Sequence, residues 1–171
     1  MFFIFAIVAG LVFGLVTGGK LGNLGQVRFR WPWLVVAAVV VREAVLLTPL
    51  NGVEGAQYVY VLSLLGIAAW TVVHWRRLRG IWVVTAGATL NVIAILANSG
   101  RMPVAPELAG SALRHRGSIG QYTLMGPGTH LNQIGDWISL WPSREAYSPG
   151  DVLIALGLAI VVFLAVRNPG A

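Results

Sequence analysis

Arg42 interrupts an apolar run, following Val35-Val-Ala-Ala-Val-Val-Val, with Glu43 beside it and Ala44-Val-Leu-Leu beyond. A charge inside a membrane-spanning helix costs at least about 2.5 kcal/mol unless it is paired or hydrated. Adjacent helical side chains diverge by about 100°, so Arg42 and Glu43 call for separate partners, and by depth Asn91 is the nearest one for Arg42. Either the pair fixes helix register, or it lines a substrate or ion pathway. Asn91 and Asn98 are seven apart and project from one helix face, with Gly87 a turn deeper, and Arg101 follows closely. Interhelical amide hydrogen bonds account for such a polar stripe; alternatively it lines a cavity, and Arg42, Asn91, Asn98 and Arg101 form the candidate ligand-binding set. His130 and Asp136 are the candidate catalytic pair, as base and orienting acid, with Arg101 holding an anionic group. Hydrolysis of a lipid-linked phosphate or acyl substrate needs those roles. Six residues turn a helix through about 600°, so the two share a face only if the helix starts after His130. Otherwise His130 simply precedes the helix and Asp136 faces water. His115, between Arg114 and Arg116, suits solvent or an anionic headgroup.

Other chemistry is narrowed by what is missing. The chain has no cysteine and three histidines, which removes disulfides, thiolate metal sites and a cysteine nucleophile. It contains no nucleophile elbow, no histidines four apart, no phosphate loop and no haem-attachment motif. Neither a metal nor a cofactor is expected. A proton pump would need several titratable groups in sequence, and no second carboxylate accompanies Glu43 inside a span. Five spans give no even inverted repeat, which argues against a transporter.

The elements that must carry these residues are apolar and long. Of 171 residues, 57% are hydrophobic and 11% charged, well below the roughly 25% charged residues of a soluble domain. The expectation is an all-α integral membrane protein, one transmembrane domain over 1–171. Five helices span at about 2–18, 31–50, 56–75, 81–98 and 149–166, with an outer loop over 99–148. The first lacks a basic leader and a cleavage site and reads as a retained helix. Ser148, Pro149 and Asp151 open the last as a helix cap, which gives Asp151 a structural role.

Orientation follows from the basic residues. Lys20, Arg28, Arg30, Arg76, Arg77, Arg79 and Arg167 lie on one side with no acidic residue. On the other, Arg101, Arg114, Arg116 and Arg144 are offset by Glu54, Glu107, Asp136, Glu145 and Asp151. The first side is expected to be cytoplasmic, placing the chain in the inner membrane with its N-terminus outside and its C-terminus inside. Trp31, Trp33, Trp75 and Trp82 mark the cytoplasmic boundary, Trp137 and Trp141 the outer one. The net charge of +6 is thus spent on orientation, and no nucleic-acid partner is expected. The expected partner is the lipid bilayer. Gly10, Gly14, Gly18 and Gly22 form a small-residue stripe for close helix packing, either onto a neighbouring helix or onto a second copy or another membrane protein.

Within the outer loop, Leu131, Ile134, Ile138 and Trp141 recur at spacings of three and four, predicting a short amphipathic interfacial helix that acts as a lid. The segments Asn98-Ser-Gly-Arg-Met-Pro-Val, Tyr122 to Leu131, Gly135-Asp136 and Ser148-Pro149-Gly150-Asp151 together resemble a family of small bacterial multi-spanning membrane proteins with a domain of unknown function. The resemblance covers essentially the whole chain and implies no activity. Pro149 stands where that family's cap has isoleucine, a change suited to the first helical turn. Two functions remain open: a non-enzymatic module binding a partner, lipid or small ligand at the outer face, and a membrane-embedded enzyme acting on an extracytoplasmic lipid-linked substrate.

Overall fold

A computed structural model describes residues 2–140 and 145–167. The chain is mostly helical, with a small amount of strand. Its long helices are α1 (Phe2–Val16), α2 (Pro32–Leu46), α3 (Ala56–His74), α4 (Ile81–Ala97) and α6 (Pro149–Arg167). Between α4 and α6 lie β1 (Met102–Val104), α5 (Ser111–Arg116), β2 (Ser118–Ile119), β3 (Tyr122–Leu124), β4 (Ile138–Ser139) and β5 (Ala146–Tyr147).

Two helices, α3 and α6, are by length and composition able to cross a membrane, each with 19 residues. By contrast α1 and α2 have 15 residues and α4 has 17, or about 22 to 26 Å of helix against a hydrocarbon core of about 30 Å. The expected spans are shortened because their ends are used otherwise: Thr17 and Gly18 form a turn, and 49–52 tighten into a 3-10 turn opened by Pro49.

The five long helices pack in the order α2–α3–α4–α6–α1. Small residues set the close approaches. A Cβ on Gly10 would sit 2.8 Å from the Ala159 Cα, and one on Gly14 would meet the Val166 side chain at 3.2 Å. At the next junction a Cβ on Gly87 would lie 2.8 Å from the Ile154 nitrogen, and one on Gly157 would lie 2.6 Å from the Val84 nitrogen. Gly18 does not share in this packing. It lies past the end of α1 at φ +92 with open space around it, as Gly22 has, and Gly19 takes its place against Val166.

On the side opposite the strands, α3 holds the loop before α2. The Trp70 indole Nε1 donates to the Arg30 carbonyl at 2.8 Å, and the Arg30 N–H donates to His74 Nε2 at 3.0 Å. His74 is fully buried, stacks on Trp70 at 3.9 Å and sets its Nδ1 2.8 Å from the Trp70 carbonyl. Both ring nitrogens are therefore engaged.

The stretch expected as a loop with one interfacial helix is instead a folded cap. Strands β1, β3 and β2 form a sheet in that order, β1–β3 parallel and β2–β3 antiparallel, and β4 pairs antiparallel with β5. The amphipathic helix over 131–141 does not form. Leu131 takes φ 55, Asn132–Ile134 make one 3-10 turn, and Asp136 bridges Val104 in parallel. The Asp136 N–H donates to the Pro103 carbonyl at 2.8 Å, and the Ala105 N–H donates to the Asp136 carbonyl at 2.9 Å. An isolated helix of that length is marginal, and pairing with β1 outcompetes it while still burying Ile134 against Val61, Ala94, Ile95 and Met102. Trp141 and Arg144 lie outside the described residues.

Gly10→Leu is expected to force α1 from α6 and destabilise the protein by about 1–3 kcal/mol or more, because backbone cannot yield as a side chain can. Gly22→Leu should be near neutral. Thermal unfolding of both variants in detergent is the comparison to make.

Candidate functional site

Ser148, Pro149 and Asp151 form the expected cap. The Ser148 N–H donates to Asp151 Oδ2 at 3.0 Å, and the Asp151 N–H donates to Ser148 Oγ at 2.9 Å. This is a capping box at the first turn of α6, where a carboxylate also suits the helix dipole. Asn91 of α4 closes the ring: its Nδ2 donates to Asp151 Oδ1 at 2.9 Å, and Ser148 Oγ donates to Asn91 Oδ1 at 2.7 Å. A Cβ on Gly150 would fall on Asn91 Oδ1, so only glycine permits this approach. Asn91 is therefore not the partner of Arg42; it joins α4 to the cap of α6.

Asn98 and Arg101 are likewise spent on backbone. Asn98 Nδ2 donates to the Ala94 and His130 carbonyls, both at 2.8 Å, and its Oδ1 accepts the His130 N–H at 2.8 Å. Arg101 Nε donates to the Gly120 carbonyl at 3.2 Å. These two residues hold the cap on the end of α4. They also separate the candidate catalytic pair: Asn98 grips the His130 backbone with the imidazole left exposed, whereas Asp136 is buried.

What remains is a smaller site under the cap. Arg42 lies one turn from the end of α2, half-buried, with no hydrogen bond or ion pair among the described residues. Asp136 and Tyr122 of the cap interact with it electrostatically, and Gln121 adjoins Tyr122. Asp136 is pushed up to about 8, chiefly by burial and secondarily by the Asp151 charge, with Arg42 opposing. At neutral pH it is mostly a neutral carboxylic acid. Tyr122 is pushed up to about 12, first by burial and then by Asp136, with Arg42 again opposing. Three buried polar atoms, Gln121 Nε2, Asn132 Oδ1 and Asp136 Oδ1, have no hydrogen-bond partner within the described residues. Each such group costs about 1–3 kcal/mol unless water or a ligand satisfies it.

Gln121 and Tyr122 escaped sequence reasoning because a Gly-Gln-Tyr turn in a glycine-rich stretch carries no periodic signal. The pairing of β3 with β1, Tyr122 opposite Met102, is what brings them under the bundle. No three His, Cys, Asp or Glu side chains converge as a metal set among the described residues.

Residues 26–163 match DUF5317, a family of unknown function. The chain belongs to this family. The family match takes in Arg42, Asn91, the whole cap and the Ser148–Asp151 box, and stops short of α1 with its Gly10 and Gly14 contacts. No curated protein and no solved structure matches the chain.

Two outcomes follow. Because the folded-state value of Asp136 is raised above the unfolded one, its contribution to stability is full below pH 4 and is lost as pH rises through about 8. The slope approaches about 1.4 kcal/mol per pH unit inside that window. Asp136→Asn should flatten this segment of the stability–pH profile and leave the variant the more stable protein at pH 9. Ser148→Ala orphans Asn91 Oδ1 and the Asp151 N–H and is expected to cost about 1–3 kcal/mol, read by denaturant unfolding.

Proposed function

We propose that this protein is a multi-pass inner-membrane protein whose outer cap closes over a site for a small or lipid ligand with an anionic headgroup, and that it acts as a binding module without catalysis. Five helices cross the bilayer in this reading, the shorter ones completed by their flanking turns, with the N-terminus outside and the C-terminus cytoplasmic. Its support is a surface rich in exposed large apolar side chains around a core that also holds polar groups. Gln57, Ser63, Thr71, His74, Asn91 and Ser148 are buried, whereas Ile4, Phe13, Val36 and Leu62 each expose more than half their surface. The seven basic residues without an acidic counterpart set the cytoplasmic side. Gly10 and Gly14 are already filled by α6 of the same chain, which leaves the bilayer as the main partner.

The observation that carries the binding reading is that, among the described residues, Arg42 has no hydrogen bond or ion pair and the cap residues that interact with it electrostatically lie beside unmet polar atoms. Arg42, the protonated Asp136, Gln121 Nε2 and the Tyr122 hydroxyl are all hydrogen-bond donors, and convergent donors suit a phosphate or carboxylate. Asn98 and Arg101, both spent on backbone, serve this site by seating the cap over it.

Dodecyl phosphate should raise the thermal midpoint of the purified protein in a concentration-dependent way, and dodecyl maltoside should not. Arg42→Gln should weaken the phosphate effect about tenfold or more. An unchanged response in that variant refutes the assignment. One observation favours an enzyme acting on an extracytoplasmic lipid-linked substrate, namely an acid near 8 beside a phenol. That reading requires phosphate release from farnesyl diphosphate by the wild type and its abolition in folded Asp136→Asn; no release removes it.

A further inference from the structure

A groove of about 470 Å³ runs along the outside of the α3–α4 pair, at the end opposite the cap, between the exposed rings of Trp75 and Trp82. Its floor is Thr85, Ala86, Thr89 and Leu90. Two threonines lie in the floor, and both hydroxyls are engaged in hydrogen bonds. Thr85 Oγ donates to Thr71 Oγ at 2.9 Å and to the Ile81 carbonyl at 3.1 Å, and Thr89 Oγ donates to the Thr85 carbonyl at 2.8 Å. With both hydroxyls engaged, the groove is lined mostly by apolar surface. From Trp82 to Thr89 it extends about 10 Å along the helix.

The mouth of this groove is cationic. The turn from α3 to α4 holds Arg76, Arg77 and Arg79, all exposed, with no acidic residue between Tyr58 and Arg101. Among the described residues these arginines have no ion pair, and the Arg76 guanidinium rests 5.9 Å from the Trp75 ring centre. Three exposed arginines in the turn at the end of an apolar trough flanked by two indoles offer, in order, a phosphate site, an interfacial belt and a chain seat.

We propose that this groove is a specific site for an anionic phospholipid of the cytoplasmic leaflet, its phosphate held by Arg76, Arg77 and Arg79 and one acyl chain laid between Trp75 and Trp82. The site rests on the membrane reading above and is separate from the site at Arg42.

The test counts phospholipid retained by the purified full-length protein in native mass spectrometry, after exchange into equal amounts of phosphatidylglycerol or phosphatidylcholine. Phosphatidylglycerol should be retained at least fivefold better, and 0.5 M NaCl during exchange should erode that preference by screening. Arg76→Gln/Arg77→Gln/Arg79→Gln should reduce retention to the phosphatidylcholine level. Arg79→Gln alone should give a partial loss. Ala86→Phe, which fills the trough and leaves the arginines in place, should lower retention of both lipids. Equal retention of the two lipids by the wild type overturns the site, as does an Ala86→Phe variant that retains lipid like the wild type. Arg42→Gln should leave the preference intact, so failure here is distinct from failure of the outer site. Release of the protein from membranes by carbonate would sink the membrane reading itself.

Discussion

The ring of hydrogen bonds among Asn91, Ser148 and Asp151 is the contact on which the rest of this architecture depends. A helix entering an apolar bundle must satisfy the first N–H groups of its backbone, because no water is there to do so. Here the capping box does that for α6, and Asn91 uses the remaining lone pairs and donors to lock the same turn onto α4. Gly150 and Gly87 allow the two backbones to come close enough for the ring to close. Since α6 is also the helix on which α1 packs, one turn of chain sets the middle of the helix row.

The cap inherits its position from that arrangement. It leaves the bundle at the end of α4 and returns at the start of α6, so both of its ends are held by the ring and by Asn98. Asn98 alone makes three hydrogen bonds at 2.8 Å, two of them to His130 thirty-two residues later. Such a tether replaces the loose lid that an isolated interfacial helix would have been. It also brings Tyr122 and Asp136 within electrostatic reach of Arg42, and burial there makes Asp136 a donor at neutral pH. The two ends of the bundle thus differ in chemistry, with buried polar groups at the cap end and exposed arginines with tryptophans at the other.

Several polar residues that the sequence offers as ligand-binding candidates are hydrogen-bonded within the protein, for a common reason. Asn91, Asn98 and Arg101 are polar groups near the end of an apolar helix, and short backbone segments with unmet donors and acceptors surround them. Such groups are satisfied locally first, whereas Arg42 has no hydrogen bond or ion pair among the described residues. His74 was invisible for the opposite reason: its partners, Arg30 and the Trp70 carbonyl, lie one in a distant loop and one in its own helix, and neither spacing marks a site.

Composition and charge asymmetry by themselves determined the helical class, the apolar stretches that became helices, the side bearing the basic residues and the cap of α6, because these depend on local propensity and on solvent preference alone. Tertiary structure decided where the helices stop, that 99–148 folds as a strand-containing cap, and which polar groups remain without partners. Those outcomes depend on competition between distant segments for the same hydrogen bonds, as when β1 took Asp136 out of a predicted helix, and no periodicity within one segment records its rivals.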